Sequence, residues 1–231
     1  MHPLDNVIWN ALTTRQAEFA ESCGQARRFV PEVTLLAGIS EPTAEGYESL
    51  KGLLAGRGTV ALFLDEPYRS RSGWELAGGA PLLQMVCENG SARAAPPIDS
   101  KTELIELSVA DSAEMIELTA LTKPGPFSTR THELGTYLGI RSAGKLVAMT
   151  GERLKVPGYT EVSAVCTHPE HTGRGYAGVL MTEVMQRIRS RGEIPFLHVR
   201  EDNVRAIQVY ERLGFRRRVV SHLAVLRKGE G

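Results

Sequence analysis

The chain has 231 residues, with 27 basic and 27 acidic side chains balancing to a formal charge of zero, and 42% of it is hydrophobic. That balance supplies no basic field for holding nucleic acid and no acidic excess of the disordered kind, and the length allows one large or two small globular domains. No apolar run is long enough to cross a bilayer, and the opening MHPLDNVIWN has neither the basic nor the apolar region of a secretory signal, so a cytoplasmic location is expected. Cys23, Cys87 and Cys166 are odd in number and lack C-x-x-C spacing, so they read as buried thiols rather than as a disulfide framework or a metal site.

In chain order, Thr13 and Gln16 form a capping-box pattern, and RQAEFAESCGQARRF is predicted to follow as a helix. EVTLLAGI reads as a strand. TAEGYESLKGLL places Tyr47, Leu50 and Leu54 on one helical face, and TVALFL and PLLQMVC read as strands. No polar constellation in this part suggests chemistry. The proline- and glycine-containing stretch that follows is predicted to be a linker at 89–100, between an α/β domain at 1–88 and a second domain at 101–231.

The second part opens with the strand TELIELSVA. Asp111 and Glu114 are predicted to cap a helix through AEMIELTAL, which the run from Lys123 to Pro126 breaks. TYLGIR and KLVAMTGERLKV form a hairpin about the turn at Ser142–Gly144, and Pro157-Gly158 leads into YTEVSAVCT, so three consecutive strands form an antiparallel meander. A loop, HPEHTGRG, precedes a long helix over 176–191 with Leu180, Val184 and Ile188 on its apolar face. PFLHV reads as a short buried strand. Asn203 caps a helix with Ala206, Val209, Tyr210 and Leu213 in a stripe, and VVSHLAVL is a last strand.

Gly173 to Gly178 spells G-x-G-x-x-G, the fingerprint of dinucleotide-binding folds. Its mechanical context is wrong for NAD. The strand before it ends near Thr167, so a loop intervenes; Glu193, at the ribose spacing, precedes the next strand; and too little chain remains for further β-α units. The glycines either merely turn the chain or suit a different task. Gly173 and Gly175 let backbone N–H groups converge at a helix start, whose positive dipole end, with Arg174 beside it, suits a pyrophosphate.

VCTHPEHTGRGYAGVLM followed by LHVREDNVRAIQVYERLGF resembles the GNAT superfamily of acetyl-CoA-dependent N-acyltransferases, most closely its FR47-like branch, related to glycine N-acyltransferases. The resemblance covers about 103–227 and implies an α/β (α+β) fold. Its expected form is a mixed, mostly antiparallel central sheet with splayed middle strands flanked by helices, preceded here by the smaller α/β domain, itself a candidate degenerate half of the same kind. It implies acetyl-CoA as cosubstrate and no metal. Backbone amides of Gly173, Arg174, Gly175, Tyr176, Ala177 and Gly178 would bind the pyrophosphate, Val165, Cys166 and Thr167 would pair with the pantetheine arm, and Asn203 would contact the cofactor. Thr172 stands where the family usually has Arg or Gln, which puts one phosphate contact in doubt or hands it to the hydroxyl.

By the same resemblance, Tyr210 is the expected general acid toward the CoA sulfur and Glu161 the expected general base, with a backbone N–H such as that of Val165 facing the oxyanion. Read as residues alone, Tyr210 is also a stripe position of its helix and Glu161 also a strand glutamate with a structural or solvated role. His198 and His168 are alternative bases, Cys166 an alternative nucleophile, and the RLGFRRRVV cluster is either a solvated charged face or a partner for the CoA 3′-phosphate or an acidic substrate. The implied function is transfer of an acetyl group to a primary amine by direct attack in a ternary complex. The alternatives are an amino-acid N-acyltransferase using a longer acyl-CoA and a non-catalytic acyl-CoA-binding or sensor protein. Expected partners are a small-molecule amine or amino acid acceptor, with no nucleic acid and no membrane, and a homodimer is left open. The loop over 122–135 is expected to wall the acceptor site.

Overall fold

A computed structural model of the chain describes residues 2–54, 58–88 and 102–229. The linker expected at 89–100 lies outside them. The described residues form two sheets: a small antiparallel one of β1 (Ala20–Cys23), β2 (Ala26–Phe29) and β3 (Ala37–Ile39), and an eight-stranded one. The large sheet comprises β4 (Thr59–Leu64), β5 (Trp74–Val86), β6 (Thr102–Leu107), β7 (Tyr137–Ser142), β8 (Lys145–Val156), β9 (Tyr159–Thr167), β10 (Ile194–Arg200) and β11 (Arg216–Lys228). Its order is β4-β11-β5-β10-β9-β8-β7-β6, and every neighbouring pair is antiparallel except β9–β10. The expected mixed, mostly antiparallel α/β architecture is therefore the observed one. Strands β4 and β5, from before residue 88, lie in the same sheet as the strands after 102, with β5 between β10 and β11.

The meander β7–β9 forms where the period-2 pattern and turn residues predict it. Helix α4 (Tyr176–Ser190) buries Leu180, Val184 and Ile188 against Leu138, Ile140, Val162, Leu197 and Val199. Each such fully buried side chain contributes roughly 1.5–3 kcal/mol relative to exposure. Because side chains alternate along a strand, Phe196 and His198 of β10 and Glu161 of β9 face away from α4. On that second face α1 (Val7–Thr13) packs on Leu154, Val156 and Phe196, while Met115 and Leu118 of α3 (Ser112–Thr122) pack on Tyr137 and Met149. Helix α2 (Ala44–Gly52), capped by the Thr43 hydroxyl accepting from the Gly46 N–H, and α5 (Val204–Arg212), capped by Asn203, complete the fold.

Three local expectations are corrected. The helix predicted over 15–29 is instead a short 3₁₀ turn at Ala17–Phe19 followed by the β1–β2 hairpin. Pairing of Glu21 with Arg28 across that hairpin, and of β2 with β3, outweighs the helical spacing of the apolar residues. Gln16 does not close a capping box with Thr13: its side-chain amide donates to the Arg153 carbonyl and its oxygen accepts from the Lys155 N–H, tying the N-terminal segment to β8. The cap before α3 lies one turn earlier than predicted, between Ser108 and Asp111, while Asp111 and Glu114 both accept from Arg141. No helix among the described residues is long and apolar enough to cross a membrane.

Candidate active site

Strands β9 and β10 pair only from Tyr159–Ile194 to Glu161–Phe196 and then part. Beyond that point β9 carries a bulge. Met149 faces Cys166 but Gly151 faces Ser163, so Ala164 and Val165 together oppose Thr150. Ala164 sits at φ 53°, a left-handed conformation that costs an L-residue on the order of 1–2 kcal/mol. The ladder is interrupted where the sheet opens, and the Thr150 hydroxyl donating to the Ser163 carbonyl steadies the bulge.

On the α4 side of the opening lies a cleft of about 900 Å³. Its walls include every residue expected to hold cofactor: Val165, Cys166 and Thr167 of β9, the run from Thr172 to Gly178, and Asn203. The run leaves β9 through a 3₁₀ turn at Pro169–His171, not straight from the strand, and the sheet around it is mostly antiparallel. Both facts disagree with a dinucleotide fold. Gly173 (φ 80°) and Gly175 (φ 78°) are left-handed, and no side chain among the described residues caps α4. Its first-turn N–H groups therefore end at the cleft with the positive end of the helix dipole, as a pyrophosphate requires.

Thr172 does not replace the missing Arg or Gln, because its hydroxyl donates to the Pro169 carbonyl within its own loop. Gly178 is informative in another way. It is helical, and a Cβ built there meets no protein atom within 4 Å. The fold itself does not ask for glycine at that position, and glycine there costs about 0.5–1 kcal/mol relative to alanine. Gly178→Ala is therefore expected to raise thermal stability slightly while weakening acyl-CoA binding about tenfold or more, read by melting and by calorimetric titration.

The opposite wall is α5. Tyr210, the expected acid, lines the cleft, and burial pushes its hydroxyl up to about 12. Its ring packs on Phe215 at 6.2 Å. Asn203 spends its side-chain oxygen on the Ala206 N–H. The apolar stripe of this helix proves to face the cleft at Ala206, Val209, Tyr210 and Leu213, while Ile207 is the position buried in the core. Arg205, Gln208 and Arg212 line the same cleft, and of these Arg205 and Gln208 were not singled out from the sequence. Their i, i+3, i+7 spacing on one helix face was the available signal. Of the RLGFRRRVV cluster, only Arg212 and Leu213 reach the cleft; Arg217 pairs with Glu211, and Arg218 with Asp5 and Gln84.

Glu161 is not among the cleft residues. It is 0% exposed, its two oxygens accept from Arg153 Nε and Nη2 at 2.8 and 2.7 Å, and Oε1 also pairs with His198 Nδ1 at 2.7 Å. The bulge of β8 opposite it turns the Leu154 N–H onto the same carboxylate at 3.3 Å. Burial alone would raise its pKa, but Arg153 and His198 outweigh that and hold it down at about 2.

His198 is fixed by the same network. Gln84 Oε1 accepts from Arg218 at 2.8 Å, so its amide nitrogen must donate to the Leu4 carbonyl and to His198 Nε2. The imidazole thus carries its proton on Nδ1, toward Glu161. His168 accepts from the Glu170 N–H in the loop. Cys166 lines the cleft, but burial raises its thiol to about 11, which disfavours the nucleophilic thiolate. Among the described residues no cluster of three or more His, Cys, Asp or Glu is placed to hold a metal.

The geometry agrees with the comparisons. The FR47-like protein family model matches residues 137–223, from the first residue of β7 into β11. The N-alpha-acetyltransferase RimI of Mycobacterium tuberculosis is 34% identical over 122 residues, covering 48% of this chain and 76% of that protein. A crystal structure of a GNAT-family protein from Novosphingobium aromaticivorans superposes with a TM-score of 0.89 at 36% identity, covering 100% of both chains. A GCN5-related N-acetyltransferase from Kribbella flavida, at TM-score 0.64 and 15% identity over 98% of this chain and 97% of its own, shares the fold. The splayed strands, the glycine-rich start of α4 and these relatives lead to one conclusion: the chain belongs to the GNAT superfamily, in its FR47-like branch, and is an acyltransferase.

Proposed function

We propose that the protein transfers the acetyl group of acetyl-CoA directly to a primary amine while both substrates are bound. The observation that carries this reading is the cleft itself, in which the uncapped N-terminus of α4 and the Tyr210 hydroxyl share one space beside the β9 bulge. The N–H groups of Gly173 to Gly178, with Arg174, hold the pyrophosphate, and the edge of β9 from Val165 to Thr167 holds the pantetheine arm.

In the reaction the amine nitrogen attacks the acetyl carbon, a C–N bond forms and the C–S bond breaks. The oxyanion developing on the acetyl oxygen faces the backbone N–H of Val165, released from the ladder by the bulge. Tyr210 gives its proton to the departing sulfur, the amine loses a proton to solvent, and solvent restores the phenol, so the products are the N-acetylated amine and the CoA thiol. Glu161 takes no part as proton acceptor in this scheme: a carboxylate at about 2, closed in by Arg153 and His198, is too weak a base and lies outside the cleft. It positions β8 against β9 at the opening.

Initial rates measured against both substrates are expected to give intersecting double-reciprocal lines. Parallel lines would replace direct transfer with an acyl-enzyme. Tight acetyl-CoA binding with no turnover on a broad amine panel would leave a binding protein in its place.

A further inference from the structure

The phosphate contact that an Arg or Gln would make is missing at Thr172, whose hydroxyl donates instead to the Pro169 carbonyl at 3.0 Å. One residue earlier stands His171, a half-buried side chain in the wall of the cleft, beside the glycine run. The fold makes no use of its imidazole as a hydrogen-bonding group. Neither ring nitrogen has a partner among the described residues, and Nδ1 is closed in by protein.

The ring is nonetheless held in place. His171 ends the 3₁₀ turn that begins at Pro169, and its backbone N–H donates to the His168 carbonyl at 2.9 Å. His168 is itself fixed, because its Nδ1 accepts from the Glu170 N–H at 3.3 Å. The two imidazoles meet edge-on with centroids 5.8 Å apart. The other side chains of the loop lean inward: Thr172 bonds back to Pro169, and Arg174 Nη2 reaches the Glu170 carbonyl at 3.4 Å. An oriented imidazole without a protein partner calls for an explanation, and a ligand in the cleft is one.

The burial of Nδ1 decides the chemistry. A proton there would be an N–H enclosed without an acceptor, so the ring carries its proton on Nε2. Nε2–H is a donor and selects an acceptor atom. The same wall of the cleft carries the uncapped start of α4, whose dipole favours an anion, and a hydrogen bond to an anionic oxygen is stronger than one to a neutral oxygen. We infer that His171 takes over the contact that Thr172 does not make, its Nε2–H donating to a phosphoryl oxygen of the acyl-CoA pyrophosphate. An imidazole at position 171 then does the work of a guanidinium or amide at position 172. The inference rests on the acyl-CoA reading of the cleft.

Two ligands separate the pyrophosphate from the rest of the cofactor. Acetyl-CoA is titrated by calorimetry, and S-acetylpantetheine, which keeps the thioester and the pantetheine arm but has no phosphate, is titrated by NMR. His171→Phe keeps a flat ring against His168 and removes the donor. It is expected to raise the Kd for acetyl-CoA about tenfold and to leave that for S-acetylpantetheine unchanged. His171→Gln, whose amide N–H reaches about as far as Nε2, is expected to stay within about threefold of the wild type. Adding Thr172→Arg to His171→Phe is expected to restore acetyl-CoA affinity. Equal losses for both ligands, with a lowered melting temperature and no rescue by arginine, would make His171 a packing residue and overturn the contact. Acetyl-CoA binding that His171→Phe leaves intact would overturn it alone, whereas a wild-type protein that binds no acetyl-CoA would overturn the cofactor reading and the contact with it.

Discussion

Glu161→Gln is expected to destabilise the protein by about 3–5 kcal/mol, because it leaves the Arg153 guanidinium buried beside a neutral amide. Arg153 is 7% exposed and Glu161 fully buried, so neither can recover its solvation when the other is removed. A loss of that size is a large share of the roughly 5–15 kcal/mol that holds a typical domain together, and urea titration would show it as a lower midpoint at unchanged slope. Replacing both members, as in Arg153→Met with Glu161→Leu, is expected to cost less than the single change, since no charge is then left alone.

The pH dependence follows from the same pair. The Glu161 carboxylate titrates at about 2 in the folded protein, below its ordinary value of 4.5. Its stabilising contribution is therefore complete above the ordinary value and is lost as pH falls from there toward 2. The Gln variant is expected to lack that component of acid unfolding. Full stability in Glu161→Gln, combined with abolished turnover, would instead return the residue to the role of base.

Tyr210→Phe carries the second large effect. It keeps the ring contact with Phe215 and removes only the proton donor, so kcat is expected to fall about 10²–10⁴-fold with acetyl-CoA affinity unchanged. Because burial raises the phenol to about 12, the donor stays protonated through the alkaline range in which an amine acceptor becomes neutral. The wild-type rate is thus expected to climb with pH as the acceptor deprotonates and to show no alkaline decline below about pH 10. An unchanged kcat in the Phe variant would remove Tyr210 from the chemistry and leave it a packing residue of α5.

What could be read in advance was what depends on residues close in sequence. The meander β7–β9 and helix α4 are set by a period and by turns a few residues long, and the glycine run and Tyr210 each sit within one short motif. The elements misread depend on distant partners. Helix α1 has only the short run Val7–Thr13 and no side-chain cap, and it is held by Leu154, Val156 and Phe196 from far along the chain. The glycine-rich start of β5 is strand because β11 runs beside it. For Glu161 the sequence leaves a base, a structural and a solvated role open, because nothing near it announces that β8 bulges to enclose it, or that His198 arrives from β10.

The position of β5 sets a timetable. During synthesis this strand emerges before β6 to β9, while both of its neighbours, β10 and β11, are made after them. Its two hydrogen-bonding edges have no native partner until β10 and β11 have been made, and contacts so far apart in sequence close slowly. A nascent chain paused within residues 89–100 would carry an unpaired apolar strand, LLQMV, which is the situation in which chaperones are engaged and aggregation competes with folding. The architecture thus makes the decisive assembly step the one in which β10 and β11 close around a strand that has waited for them.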